Sequence, residues 1–297
     1  MRFLRRLTAL TAKLLELRGL FARAARDWRV RTGTSIIMSS LLLLTSACGG
    51  KTNIPDYAGE GGDQMLLQLG QQQLEAEHWE DARGFFQQLV DTFPRSQYVG
   101  DARIGIADTY YYQRGAGNLV LAIAEYRDVL TFFPNHPRAD YVQYQIALAY
   151  YRQRQNADRD QDPTRTAVQE LEKLIELYPN SPYAETGREL LRDCNELLAE
   201  HEFRVGEFYL KVRKHCEGAI ARLKGVMENY PTYSGADKVY FNLAEALTLC
   251  GSPAEAMPYY KQLIDNYPGS EFKEAAEERL GALQAKANEA LIVSPPP

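Results

Sequence analysis

From residue 64 onward, apolar and polar positions recur in the same register five times. Each copy ends on an aromatic residue followed by proline: Phe93-Pro94, Phe133-Pro134, Tyr178-Pro179, Tyr230-Pro231 and Tyr267-Pro268. Twelve residues before each proline stands an alanine: Ala82, Ala122, Ala167, Ala219 and Ala256. Four positions after the alanine comes a large apolar residue: Phe86, Tyr126, Leu171, Leu223 or Tyr260. Seven and eight positions after it comes an apolar pair, from Leu89 and Val90 in the first copy to Leu263 and Ile264 in the last. Offsets of 0, 4, 7, 8 and 11 lie on one face of an α-helix. The alanine allows a neighbouring helix to approach closely, and the residues behind it form a buried stripe. Proline stops the helix, because it lacks an N–H and pushes the preceding residue out of α geometry. The aromatic ring can then turn into the seam with the next unit. Serine in Pro94-Arg95-Ser96 and Pro268-Gly269-Ser270 is placed to cap the following helix.

Partner helices lie between these. Thirteen and sixteen residues after three of the prolines stand Ala107 and Tyr110, Ala147 and Tyr150, Ala244 and Leu247. Each unit is therefore a helical hairpin. The predicted fold class is all-α: an α-solenoid of five tetratricopeptide-like hairpins with a C-terminal capping helix over residues 271–291. Proline-to-proline spacings of 40, 45, 52 and 37 exceed the tetratricopeptide period of about 34. The 45 spacing holds a charged loop, Asp158-Arg159-Asp160-Gln161-Asp162-Pro163, and the 52 spacing a long helix over residues 183–212. The expected organisation is a signal at 1–47, a tether at 48–62 and repeats one to three at 63–181. Repeats four and five with the cap follow at 182–291, and a disordered tail at 292–297.

Charge changes the picture at the N-terminus. Residues 1–47 carry nine basic and two acidic side chains, so residues 48–297 carry −12 of the net −5. A basic stretch, a nine-residue apolar run at 36–44 and the small residues before Cys48 are the parts of an export signal. The run is far short of the roughly 20 residues of a membrane-spanning helix. Cysteine at the cleavage point resembles a bacterial lipoprotein signal, with Thr45 where the usual motif has leucine and Leu44 one position earlier. Cys48 is then the lipidation site, and acyl chains hold the folded part on a membrane surface. Gly49 stands where an aspartate would retain a Gram-negative lipoprotein at the inner membrane, so the outer membrane is the expected address. The basic region is long for a signal, which leaves open a downstream start at Val30 or Leu20. Residues 49–62, with five glycines and no apolar periodicity, read as a flexible tether.

No enzymatic constellation emerges, and no cofactor, metal or catalytic residue is expected. The acidic balance argues against nucleic acid as a partner. The four histidines show no metal-ligand spacing and read as loop or solvated residues. The Asp158–Asp162 stretch starts like a calcium loop, but Pro163 and Gln169 stand where glycine and glutamate are needed. Cys194, Cys216 and Cys250 read as buried small residues. A Cys216–Cys250 disulfide is the alternative, since the two residues lie at ends of adjacent antiparallel helices. Seven tyrosines (110, 111, 112, 141, 144, 150 and 151) fall on the first helices of repeats two and three. Seam packing accounts for most, and the remainder would form an aromatic peptide-binding surface.

Residues 63–283 resemble the BamD family, helical-repeat lipoproteins of the outer-membrane β-barrel assembly machinery. Three segments carry the resemblance. The first is Phe133-Pro134-Asn135-His136-Pro137 with Asp140-Tyr141-Val142-Gln143-Tyr144. The second runs from Asp158-Arg159-Asp160 through Asp162-Pro163 to Tyr178-Pro179-Asn180-Ser181-Pro182-Tyr183. The third is Leu198-Ala199-Glu200-His201-Glu202, Val205-Gly206-Glu207-Phe208-Tyr209, Ala219-Ile220-Ala221-Arg222 and Glu228-Asn229-Tyr230-Pro231. The resemblance implies a non-enzymatic scaffold on the periplasmic face of the outer membrane. Its C-terminal repeats would bind the barrel-forming subunit BamA, its N-terminal repeats unfolded outer-membrane proteins, and accessory assembly lipoproteins would attach. Arg222 takes the position of a family arginine that contacts BamA. Phe93, Tyr98 and Tyr111 are the candidate client-binding residues. Residues 211–216 replace a glycine-containing turn of the family. The competing readings are a Tol-Pal cell-division coordinator, a secretin pilotin, or a peptidoglycan- or sugar-processing enzyme.

Overall fold

A computed structural model describes residues 61–293 and Gly59. Cys48, the signal, most of the tether and the 294–297 tail lie outside these residues. Eleven α-helices and no strand occur among the described residues. They are α1 (Gly62–Glu75), α2 (Trp79–Thr92), α3 (Val99–Gln113), α4 (Ala116–Phe132), α5 (Ala139–Arg152), α6 (Asp162–Leu177), α7 (Ala184–Phe208), α8 (Cys216–Asn229), α9 (Ala236–Leu249), α10 (Pro253–Asn266) and α11 (Lys273–Val293). Each packs on the next in chain order, as five hairpins followed by the capping helix.

The repeat positions behave as the pattern requires. The five alanines are fully buried, and the residues four and seven positions after them are at most 1% exposed. All five aromatic residues before proline close their helices alike, each N–H reaching the carbonyl four residues back. Phe86 shows how tight the interior is. Its ring lies between α1 and α3, where a Cβ built on Gly70 or Gly105 would come within 2.4 or 2.5 Å of it.

The turn after each proline differs from the expected cap. The third residue after each aromatic donates its N–H to the aromatic carbonyl, at Ser96, His136, Ser181, Tyr233 and Ser270. The serines do not cap the next helix. Each accepts from the N–H two residues on and donates its hydroxyl to an aspartate in the first turn of the previous unit. These bonds are Ser96–Asp63 (2.6 Å), Ser181–Asp140 (2.7 Å) and Ser270–Asp237 (2.6 Å). His136 takes the same place against Asp101 at 3.7 Å, with its side chain 10% exposed, so it is a packed junction residue rather than a solvated one.

Repeat four departs most from the pattern. Helix α7 continues into a π-helical turn at Tyr209–Arg213, which ends on Lys214 in the left-handed region at φ 54°. His215 then caps α8 by accepting from the Gly218 N–H at 2.9 Å. The lysine adopts the conformation a glycine would take there at no steric cost. Just beyond it, Cys216 is bonded to Cys250 across the start of α8 and the end of α9, with Cα atoms 5.6 Å apart. The buried-residue reading holds for Cys194 alone. Adjacent antiparallel ends brought the other two together.

The disulfide closes a 34-residue separation. Replacing both cysteines by serine should lower stability by about 3–4 kcal/mol. Denaturant titration of wild type and variant, with and without reductant, checks this. The wild type with reductant should match the variant.

Candidate functional site

Two regions carry the candidate residues, one on repeats one to three and one on repeat four. On the first, aromatic rings from three hairpins and the start of a fourth form two groups, joined by a hydrogen bond between Tyr112 and Tyr141. Trp79 at the start of α2 stacks on Tyr112 at the end of α3, with centroids 6.0 Å apart. Tyr141 and Tyr144 of α5 both meet Tyr183 ahead of α7, at 5.8 and 4.9 Å. Tyr112 is 41% exposed, and Trp79, Tyr144 and Tyr183 are half-buried. Rings held by their neighbours yet open on one side offer apolar area at little further entropic cost.

Tyr111 is not part of that surface. It is 1% exposed and packs in the core with Ile104, Tyr126 and Ile146. Helix α3 is buried nearly all round, so its neighbour Tyr112 takes the outward position. Phe93 and Tyr98 are half-buried against the core of repeat one, beside Phe86 and Val99. They lie at the seam between repeats one and two and do not join the ring strip. Seam packing also describes Tyr110, Tyr141 and Tyr150. The residues missed from sequence are Trp79 and Tyr183. Trp79 lies outside the tyrosine cluster, and Tyr183 belongs to the turn after Pro182.

Beneath the strip lies a buried carboxylate. Asp108 on α3 accepts from the Tyr126 hydroxyl and, at 2.8 Å, from the Tyr141 hydroxyl. Arg138 stands 3.8 Å away. Burial pushes the Asp108 carboxyl up to about 6, against the pull of the two hydroxyls and of Arg138. One acid thus ties α3, α4 and α5 together from inside.

On repeat four, Arg222 of α8 donates to Glu202 of α7 at 2.8 Å and stays half exposed. Arg165 of α6 reaches the same carboxylate at 3.9 Å. Gly206 allows the close packing behind this pair, since a Cβ there would come within 2.9 Å of Leu223. Glu200, two residues before Glu202, receives Lys238 and Arg204, both at 2.7 Å, and the Tyr233 hydroxyl. Burial alone would raise the Glu200 carboxyl, but these donors outweigh it and hold it at about 2. The loop after α5 is tied to the same helix. His201 bonds the Ala157 carbonyl at 2.6 Å and Arg204 meets Asp158 at 2.8 Å. Thus the Asp158 stretch and the Leu198–Glu202 stretch, two of the three motif segments, touch. The loop has no calcium-like cluster, and no group able to hold a metal occurs among the described residues.

The profile of the YfiO family, described as an outer membrane lipoprotein, matches residues 60–258. The chain belongs to this family. Its curated relatives carry the name outer membrane protein assembly factor BamD. The protein of Caulobacter vibrioides is 28% identical over 82% of this chain and 79% of its own length. That of Vibrio cholerae is 27% identical over 76% of this chain and 96% of its own. That of Rickettsia prowazekii is 33% identical over 49% of this chain and 59% of its own. The resemblance to the BamD family seen in the motifs is therefore a true one. The Tol-Pal and pilotin readings give way to it. Among solved structures, the tetratricopeptide domain pair of yeast Sti1 superposes with a TM-score of 0.41 at 14% identity, over 78% of this chain and 86% of that one. A thermophilic tetratricopeptide protein of Thermus thermophilus gives 0.32 at 18%, over 75% and 99%. No helix among the described residues is long and apolar enough to cross a membrane.

The Asp108 carboxyl gives a pH signature. Its value is raised in the folded chain to about 6 from the ordinary 3.8. The stability it contributes is therefore full below pH 3.8 and lost as pH rises through about 6. Asp108→Asn keeps an acceptor for both tyrosines and removes the titration. Melting temperatures at pH 5 and pH 7.5 should show the variant gaining on the wild type at the higher pH.

Proposed function

We propose that the protein is a lipid-anchored scaffold of outer-membrane β-barrel assembly, held on the periplasmic face through Cys48. Repeats four and five would hold the barrel-forming subunit BamA, and repeats one to three would hold segments of unfolded outer-membrane proteins. Accessory assembly lipoproteins are further partners on this reading. The single observation that carries it is the family match over residues 60–258, supported by relatives named as assembly factors. The action is binding rather than bond-making. An extended segment with alternating apolar side chains would lay them on Trp79, Tyr112, Tyr144 and Tyr183, where aromatic anchors supply most of the affinity. Tyr112 replaces Tyr111 in this reading, because a side chain inside the core cannot meet a client.

Arg222 is the proposed BamA contact. Its ion pair with Glu202 uses one nitrogen of a half-exposed guanidinium. The remaining donors suit a carboxylate on a partner. An exposed pair of this kind contributes at most about 1 kcal/mol to the fold.

Two variants separate the surfaces. Arg222→Glu and Arg222→Ala should keep the melting temperature within a few degrees and lose BamA from a pull-down of the tagged lipoprotein. Wild type that recovers no BamA would sink the assembly reading. Equal recovery by wild type and variants would sink only the role of Arg222. Tyr112→Ala should weaken binding of an unfolded outer-membrane protein about tenfold and leave BamA recovery intact. Equal client affinity in that variant would remove the strip from the client site.

A further inference from the structure

The register of the repeat isolates two large apolar side chains that the packing of the array does not use. The residue before each aromatic–proline pair is exposed in all five units: Thr92, Phe132, Leu177, Asn229 and Asn266. Repeats one, four and five place a polar residue there. Repeats two and three place Phe132, 64% exposed, and Leu177, 62% exposed. Scattered singly, exposed apolar residues need no explanation, but a second feature falls on the same two units. Their turns carry an additional proline, Pro137 and Pro182, where the other three have Gln97, Ser234 and Glu271. All four prolines of these two turns, Pro134, Pro137, Pro179 and Pro182, are exposed. Proline adds apolar surface and removes an N–H that would otherwise need water or a partner. Phe132 and Leu177 with their turns are therefore neighbouring tips, apolar and poor in backbone donors, that can leave water at low cost.

The place of the tips on the array indicates what covers them. Ser96 of the first junction bonds Asp63 at the start of α1, His136 of the second meets Asp101 at the start of α3, and Ser181 of the third bonds Asp140 at the start of α5. Three junctions and the start of α1 thus form one row at one end of the array. Met65, in the first turn of α1 and 47% exposed, belongs to that row. The chain from Cys48 joins α1 there. Cys48 precedes Gly61 by 13 positions, a span of at most roughly 45 Å when fully extended. The opposite end has exposed apolar residues of its own, at Val120, Leu121, Phe208, Val212 and Leu249. Those fall beside Tyr112 in the chain or on repeats four and five, the surfaces proposed above for protein partners.

We propose that Phe132 and Leu177 insert into the headgroup–acyl boundary of the bilayer and set the array with its aromatic–proline end on the membrane. The proposal rests on the lipid-anchor reading of Cys48 and adds a second, non-covalent contact to it. Each tip alone binds weakly. Tethering to an anchored chain makes the contact intramolecular, at an effective concentration that lets weak insertion persist. The attraction is apolar rather than electrostatic. Asp128 and Glu176 stand near the tips in the chain, as does Lys173, and Arg103 lies 5.9 Å from the centroid of the Phe132 ring. Residues 48–297 carry −12, so an anionic lipid surface does not draw them in. Arg103 and Lys173 can turn their charged ends to the headgroups while the apolar tips enter. With this end down, the turn after α3 and the Cys216–Cys250 end of α8 and α9 point away from the membrane.

The test places the mature lipoprotein in phosphatidylcholine vesicles with brominated acyl chains, which quench tryptophan fluorescence inside the bilayer. Phe132→Trp and Leu177→Trp should each show quenching well beyond that of the wild type, whose Trp79 sets the background. Val120→Trp should not. Quenching should persist in about 1 M salt, where charge attraction is screened. Leu177→Asn, the residue of repeats four and five, should lower the inserted-to-free ratio of the Phe132→Trp chain about tenfold and leave its melting temperature unchanged. Wild type that does not float with the vesicles would overturn the anchor reading and the proposal with it. Floating protein with unquenched tips would overturn the proposal alone. Equal quenching of Val120→Trp would remove the fixed orientation and overturn it as well. A photocrosslinker in place of Leu177 that captures a protein in cell envelopes, with no quenching in vesicles, would overturn it in favour of a protein contact.

Discussion

The turn after each aromatic–proline pair is the constraint on which the array depends. Proline ends one hairpin, and the aromatic carbonyl must then find a donor, since it can no longer accept along a continuing helix. In all five junctions it finds the N–H three residues on. In four of the five that residue is thereby placed against the first turn of the previous unit, and Tyr233 instead reaches Glu200 far along α7. Where it is serine, its hydroxyl bonds an aspartate there. Where it is His136 or Tyr233, a larger polar ring does similar work toward Asp101 or Glu200. Local chain reversal and contact between units are thus set by one group of atoms. These bonds position each hairpin against its predecessor, and the fully buried alanines let neighbouring helices come close.

Much of this was legible in sequence, because helix-face periodicity and proline act within a few residues. What lay beyond reach was set at long range. Ser96 and Asp63 are 33 positions apart, and Ser181 and Asp140 are 41. A serine after proline therefore reads as a local cap until its partner is seen. The choice between Tyr111 and Tyr112 failed for a related reason. Apolar residues surround α3, which α1, α2 and α4 all contact. With no polar face to fix its rotation, three consecutive tyrosines cannot be assigned to inside or outside from pattern alone. The Cys216–Cys250 pair was visible as an alternative because hairpin geometry predicts which helix ends meet. The π-helical turn before it was not, since a residue inserted into a helix leaves no regular period.

Arginines along the array are held in two ways. On repeat four two glutamates gather nearby cations: Glu200 holds Lys238 and Arg204, and Glu202 holds Arg222 and Arg165. A partner approaching Arg222 finds a guanidinium already fixed in direction by its internal pair. Little side-chain entropy is lost on binding, and the interaction gains from preorganisation rather than from an unmet charge. Repeats two and three mix both arrangements, with Arg127, Arg138 and Arg154 paired to acids. Arg114 and Arg152 are unmatched, one at strained backbone and the other resting on a ring. A paired arginine suits a lasting interface whose partner must match a fixed geometry.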